Sequence, residues 1–179
     1  LQAFALFAPP DRYRFSFVNR IPLERGLGSS AAAIALGLVA GAAAAGRETR
    51  PDDLLAAGVR FEGHADNLAA ALYGGVTLAW IGKGGGTHAT RIADTMPLAA
   101  VLVVPHERTN TASSRNGLPA SVTHADAAAT AGAAALLGAA IVSGSATLLR
   151  EAFQDRLHEP FRAHRCTTSC ASGGRRSTS

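Results

Sequence analysis

The chain is poor in cysteine, in lysine and in aromatic rings. Of 179 residues only Cys166 and Cys170 are cysteine, both near the C-terminus, so the body of the chain carries no disulfide framework. That usage predicts a reducing, cytoplasmic setting. Lys83 is the single lysine among 17 basic residues, the arginines are scattered, and aromatic residues make up 6%. A nucleic-acid surface needs clustered basic residues interleaved with stacking rings. The net charge of +4 and pI of about 9.8 do not amount to one, and Arg165, Arg175 and Arg176 in the tail carry three of the charges. Long runs of strongly apolar residues are scarce too. Residues 26–46 and 127–149 reach the ~20 residues of a membrane span, but Ala, Gly, Ser and Thr dominate them, and such segments insert poorly. They predict helices packed tightly in a core, with neither a membrane nor a nucleic acid as partner. The opening LQAFALFAPPDRYRF lacks a basic n-region and meets Pro9 and Pro10 early, unlike a secretory signal. Lacking an initiator methionine, the chain is expected to begin inside a longer protein.

Hydrophobic residues make up 47% and charged residues 17%, the balance of a folded chain. Its length suits one domain with a proper core. The most informative stretch is RIPLERGLGSSAAA, residues 20–33. Glycine permits backbone angles that other residues avoid and lets a ligand approach the main chain. Alanine then starts a helix at once. A helix beginning there directs unpaired N–H groups and the positive end of its dipole at the loop, a receptor for an anion such as phosphate. On these residues alone, a plain glycine-rich turn before a core helix is an equal reading.

Residues 12–21 alternate apolar Tyr13, Phe15 and Phe17 with Arg12, Arg14 and Ser16, which predicts a strand with one buried face. Residues 31–45 read as a buried helix stopped by Gly46. Pro51 opens a helix to about Glu62, and NLAAALYGG a short one ending at Gly74. VTLAWI and residues 87–92 form a predicted hairpin about Gly82–Gly86, and residues 98–105 a further strand. Asp126 opens a long helix to about Val142, and Ser145 another. Alternation of strands and helices with antiparallel pairing gives an α+β fold. Residues 163–179 have no hydrophobic period and read as an unstructured tail, or as text out of frame. Lys83 does not mark a Walker loop, because Gly84 stands where Ser or Thr is required and Thr77 where the first glycine belongs.

The segment PLERGLGSSAAA resembles the phosphate loop of the GHMP small-molecule kinases. FEGHADNLAAALYGGVTLAW (residues 61–80), TASSRNGLP (111–119) and DRLHEPFR (155–162) are similar, in order, to blocks of the homoserine kinase family within that group. The resemblance implies a GHMP-type fold, with a ribosomal-protein-S5-domain-2-like first half over residues 1–95 and an incomplete ferredoxin-like second half over 96–162. It also implies ATP and Mg²⁺ as cofactors, L-homoserine as the phosphoryl acceptor and a second copy of the chain as partner.

Residue by residue, the resemblance places Pro22, Leu23, Glu24, Arg25, Gly26, Leu27, Gly28, Ser29, Ser30, Ala31 and Ala32 around the ATP phosphates. Ser30 and Glu62 are the candidate Mg²⁺ ligands, although Glu62 also reads as an ordinary helix-surface acid. His64, Asp66, Asn67 and Arg115 fall at the substrate: Asp66 for the ammonium, Arg115 for the carboxylate, Asn67 and His64 for the attacking oxygen. Three features depart from the family pattern. The N-terminal Asn-Leu-Gly-x-Gly-Phe-Asp loop and the C-terminal glycine motif are missing, and Thr130 and Ala133 replace the family's Asn and Arg. These departures leave two further expectations beside the kinase: a non-catalytic fragment, or a mevalonate-type member of the group.

Overall fold

The computed structural model describes residues 1–96, 101, 102, 104 and 118–162. Contacts divide the chain into two units, Leu1–Met96 and Pro97–Ser179. In the first unit, helix α1 (Ser29–Ala44) follows the glycine-rich loop, α2 (Pro51–Glu62) begins on its proline, and α3 (Asp66–Tyr73) ends at Gly74. The buried residues of α1 include Ala31, Ala35, Leu38 and Ala42. Their spacing of three or four lines them along one face of the helix. Leu54 and Leu55 of α2 and Leu68 and Ala69 of α3 pack against that face, and Leu38, Leu55 and Leu68 are fully buried. Each such leucine contributes about 1.5–3 kcal/mol of transfer free energy.

A single 3-10 turn at Phe4–Leu6 lies on the same helix. It comes so close that a Cβ at Gly41 would stand 2.6 Å from the carbonyl oxygen of Phe4. Only glycine permits that approach.

Strands β1 (Val76–Ile81) and β2 (Thr87–Ala93) form an antiparallel hairpin. Ala79 pairs with Ala89, and both turn toward the helical core. Small side chains there let the hairpin sit close to the helices. Trp80 pairs with His88, their rings stacked at 5.6 Å. Helices with a small antiparallel sheet make the expected α+β class. Helices α1 to α3 and the hairpin follow the local signals read in the sequence to within two residues.

The expected strand at residues 12–21 is not one. Among the described residues the sheet has two strands, β1 and β2, and residues 13–20 carry no ladder. The segment runs instead beside α1. Tyr13 donates a hydrogen bond to the carbonyl of Ala44 at the end of that helix, 3.2 Å away, and the chain returns to its start at Ser29. With no strand beside it among the described residues, the backbone forms no ladder there. The alternation survives as ring packing: Phe4 meets Tyr13 and Phe15 edge-on at 5.2 and 4.9 Å, and Phe15 stacks with Phe17 at 6.1 Å.

In the second unit, α4 (His124–Ser143) and α5 (Ala146–Ala152) are followed by the single turn α6 (Glu159–Arg162). Helix α4 starts two residues before Asp126, the expected opening. Its N-cap is Thr123, whose Oγ1 accepts from the Asp126 N–H at 3.1 Å, because a hydroxyl reaches back to the third N–H of a helix. Ser145 caps α5 in the same way through the N–H of Leu148. The segment before α6 is tied to α4: the Arg156 N–H donates to Thr130 Oγ1 at 3.1 Å, and its guanidinium lies 3.6 Å from Asp126. Among the described residues α4 is the one helix long and apolar enough to cross a bilayer, by length and composition only. The expected strand at 98–105 falls mainly outside the described residues.

Candidate active site

The loop before α1 turns on left-handed residues. Glu24 (φ 57°), Gly26 (φ 70°) and Gly28 (φ 71°) hold positive φ, which side chains disfavour. Gly28 is the N-cap of α1, and its carbonyl accepts the first helical hydrogen bond from the Ala32 N–H at 2.9 Å. Glycine brings no capping side chain. The first N–H groups of α1 therefore face the loop without an intrahelical acceptor, where an anion is favoured.

The three helix ends converge at this loop. From the first turn of α1, Ser30 Oγ donates to Glu62 Oε2, at the last residue of α2, across 2.8 Å. The Glu62 side chain is only 11% exposed, and Oε1 lies 3.9 Å from His64 Nε2, beyond hydrogen-bond distance. His64 Nδ1 is 2.6 Å from Asp66 Oδ1. A carboxylate only accepts, so Nδ1 carries the proton of that bond and Nε2 is left facing Glu62. Asp66 Oδ1 also takes the Asn67 N–H at 2.7 Å. The Asn67 side chain then returns to the loop, with Oδ1 3.3 Å from where a Cβ on Gly28 would stand. The contacts close a circuit from α1 through Glu62, His64, Asp66 and Asn67 back to the N-cap of α1.

Two oxygens 2.8 Å apart, a hydroxyl and a carboxylate, suit Mg²⁺, which keeps water or phosphate on most of its positions. Among the described residues no group of three or more His, Cys, Asp or Glu side chains is placed to hold a metal. A groove of about 610 Å³ runs along one side of the start of α1, between Phe17–Leu23 and the helix residues Ser29, Ala32, Ala33 and Leu36. A smaller hollow of about 280 Å³ lies beside His64 and Asp66, against Trp80 and Thr87 of the hairpin.

Of the residues marked in the sequence, the loop from Pro22 to Ala32, Ser30, Glu62, His64, Asp66 and Asn67 lie together in the first unit. Arg115 lies outside the described residues. Reading the sequence missed the contact of Asn67 with Gly28 and the pairing of His64 with Asp66. It also missed the groove wall, since residues 17–21 were assigned to a strand.

Residues 2–75 match the family described as GHMP kinases N terminal domain. Relatives that the chain matches include homoserine kinases. The chain is 46% identical to the homoserine kinase of Streptomyces coelicolor over 148 residues, 81% of this chain and 47% of that one. It is 41% identical to that of Deinococcus radiodurans over 155 residues, 87% of this chain and 50% of that one. The solved structure of homoserine kinase from Cytophaga hutchinsonii superposes with a TM-score of 0.67 at 29% identity, covering 82% of this chain and 48% of that chain. The chain spans about half the length of the curated relatives it matches.

Proposed function

We propose that the protein transfers the γ-phosphoryl group of ATP to the side-chain hydroxyl of L-homoserine, giving O-phospho-L-homoserine. The observation that carries this reading is the Ser30–Glu62 contact at the mouth of a glycine-rich loop, in a chain similar to homoserine kinases over more than four-fifths of its length. The amides of Gly26 to Ser30 cradle the phosphates. The groove lined by Phe17, Ile21 and Leu36 takes the nucleoside. Ser30 and Glu62 would hold Mg²⁺, which would supply neutralisation of the phosphate charge.

His64 and Asn67 orient the homoserine hydroxyl, Asp66 stands at the ammonium, and Arg115 is assigned to the carboxylate. The hydroxyl oxygen bonds to the γ-phosphorus as the bond to the β,γ-bridging oxygen breaks, and the hydroxyl proton leaves on the transferred phosphoryl group. Such transfers pass through loose transition states, so placement and charge neutralisation suffice without a strong base. The same reading puts the protein in the cytoplasm with small molecules as its partners.

The test is ADP release by the purified chain with ATP, Mg²⁺ and either L-homoserine or mevalonate. Release with homoserine alone is expected. Release with mevalonate alone, or with neither, overturns the assignment.

A further inference from the structure

Asn19 sits where a strand was expected, and its side-chain amide does the work of a strand neighbour. Nδ2 donates to the Ile21 carbonyl at 3.0 Å, and the Ile21 N–H donates to Oδ1 at 2.9 Å. Both polar groups of one residue are thus held by one amide, as a paired strand would hold them. Ile21 immediately precedes Pro22, the first residue of the phosphate loop. Asn19, Arg20 and Ile21 also line the groove of about 610 Å³ that ends at Ser29.

We propose that Asn19 is a positioning residue for nucleotide binding: by clasping Ile21 it fixes the outer wall of the groove and the angle at which the chain enters the phosphate loop. The inference rests on the reading of that groove as the nucleoside site. Without the clasp, the Ile21 peptide is released to water and the wall loses its only side-chain brace among the described hydrogen bonds. The loop itself keeps its glycines, so α1 still forms. The effect then falls on affinity for nucleotide and leaves the helical core unchanged.

The experiment is equilibrium titration of the full chain with a fluorescent ATP analogue, with thermal melting of each variant alongside. Asn19→Ala is expected to weaken binding about tenfold, the equivalent of two modest hydrogen bonds. Asn19→Ser keeps an acceptor for the Ile21 N–H without a charge and is expected to recover part of that loss, to about threefold. Melting temperatures within the error of the unmodified chain support a local positioning role. Equal affinity of Asn19→Ala and the unmodified chain overturns the inference while leaving the nucleotide site standing. So does equal weakening by Ala and Ser in folded variants. An unmodified chain that binds no analogue overturns the nucleoside reading and the inference together.

Discussion

Ser30 and Glu62 stand 32 positions apart in the chain, yet the serine hydroxyl donates to the glutamate carboxylate across 2.8 Å. One opens α1 and the other closes α2, so the contact pins two helix ends against the phosphate loop. Ser30→Ala removes the hydroxyl and Glu62→Gln the charge. Either is expected to lower ADP release on the order of 100-fold and to raise the Mg²⁺ concentration needed for half-maximal rate, while Ser30→Thr keeps the hydroxyl and most of the rate. A Mg²⁺ requirement unchanged in both damaging variants would remove these residues from the metal site.

Gly26 and Gly28 share a left-handed backbone, and differ in what lies beside them. An added Cβ at Gly26 meets nothing within 4 Å, whereas at Gly28 it crowds Asn67 at 3.3–3.4 Å. Alanine at either position costs about 1–2 kcal/mol of backbone strain. Only Gly28→Ala also pushes Asn67 away, so it should weaken nucleotide analogue binding more than Gly26→Ala. Equal affinities in a titration of the two variants would contradict the contact.

Gly41 lies under the Phe4 carbonyl, and a Cβ there would come within 2.6 Å of backbone oxygen and 3.0 Å of Phe4 Cα. Main chain cannot rotate aside as a side chain can. Gly41→Ala is expected to destabilise the first unit by about 1–3 kcal/mol through overpacking, despite the roughly 1 kcal/mol by which alanine favours a helix. Urea unfolding measures the difference, and a midpoint at or above that of the unmodified chain would show that the turn does not pack on α1 this way.

Asp155 contributes to acid stability in the second unit. Its desolvation opposes ionisation, yet the N–H groups of Leu157 and His158 and the His158 ring together hold its carboxyl below the ordinary value of 3.8. The folded state thus binds fewer protons than the unfolded one in this window. The resulting stability is complete above pH 3.8 and is lost as pH falls toward and through the lowered value. Asp155→Asn should flatten that acid limb in melting curves between neutral pH and pH 3; a limb of unchanged steepness would count against the pairing.

Tyr73 acts at the opposite extreme. Its burial, followed by the hydrogen bond its hydroxyl donates to Asp52, pushes the phenol up from 10.0 to about 12. The folded state holds the proton where the unfolded chain releases it, so this contribution is full below pH 10 and lost as pH rises toward about 12. Tyr73→Phe removes this alkaline dependence while lowering stability at neutral pH. Phenolate absorbance of the folded chain reports the same group, and a Tyr73 titrating near 10 would sink the prediction.

The site was legible in the sequence where its residues are neighbours. Gly-Leu-Gly-Ser-Ser before an alanine run marks a loop and a helix start, and Glu62, His64, Asp66 and Asn67 fall within six positions where α2 stops and α3 begins. What escaped was pairing at a distance. Nothing local says that Asn67 reaches Gly28, whereas the family resemblance already sets Ser30 and Glu62 together as candidate Mg²⁺ ligands.

By itself, the sequence determined the local elements: helices opened by Pro51 and Ser145, the hairpin about Gly82–Gly86, and the small residues that let helices pack closely. These depend on backbone preferences and on hydrogen bonds within a few residues. Only the tertiary structure decided what becomes of Tyr13, Phe15 and Phe17. Their alternation suits a strand, but strand formation requires a neighbouring backbone, and here the segment lies beside α1, packs Tyr13 and Phe15 edge-on against Phe4, stacks Phe17 on Phe15 and is clasped at Ile21 by Asn19.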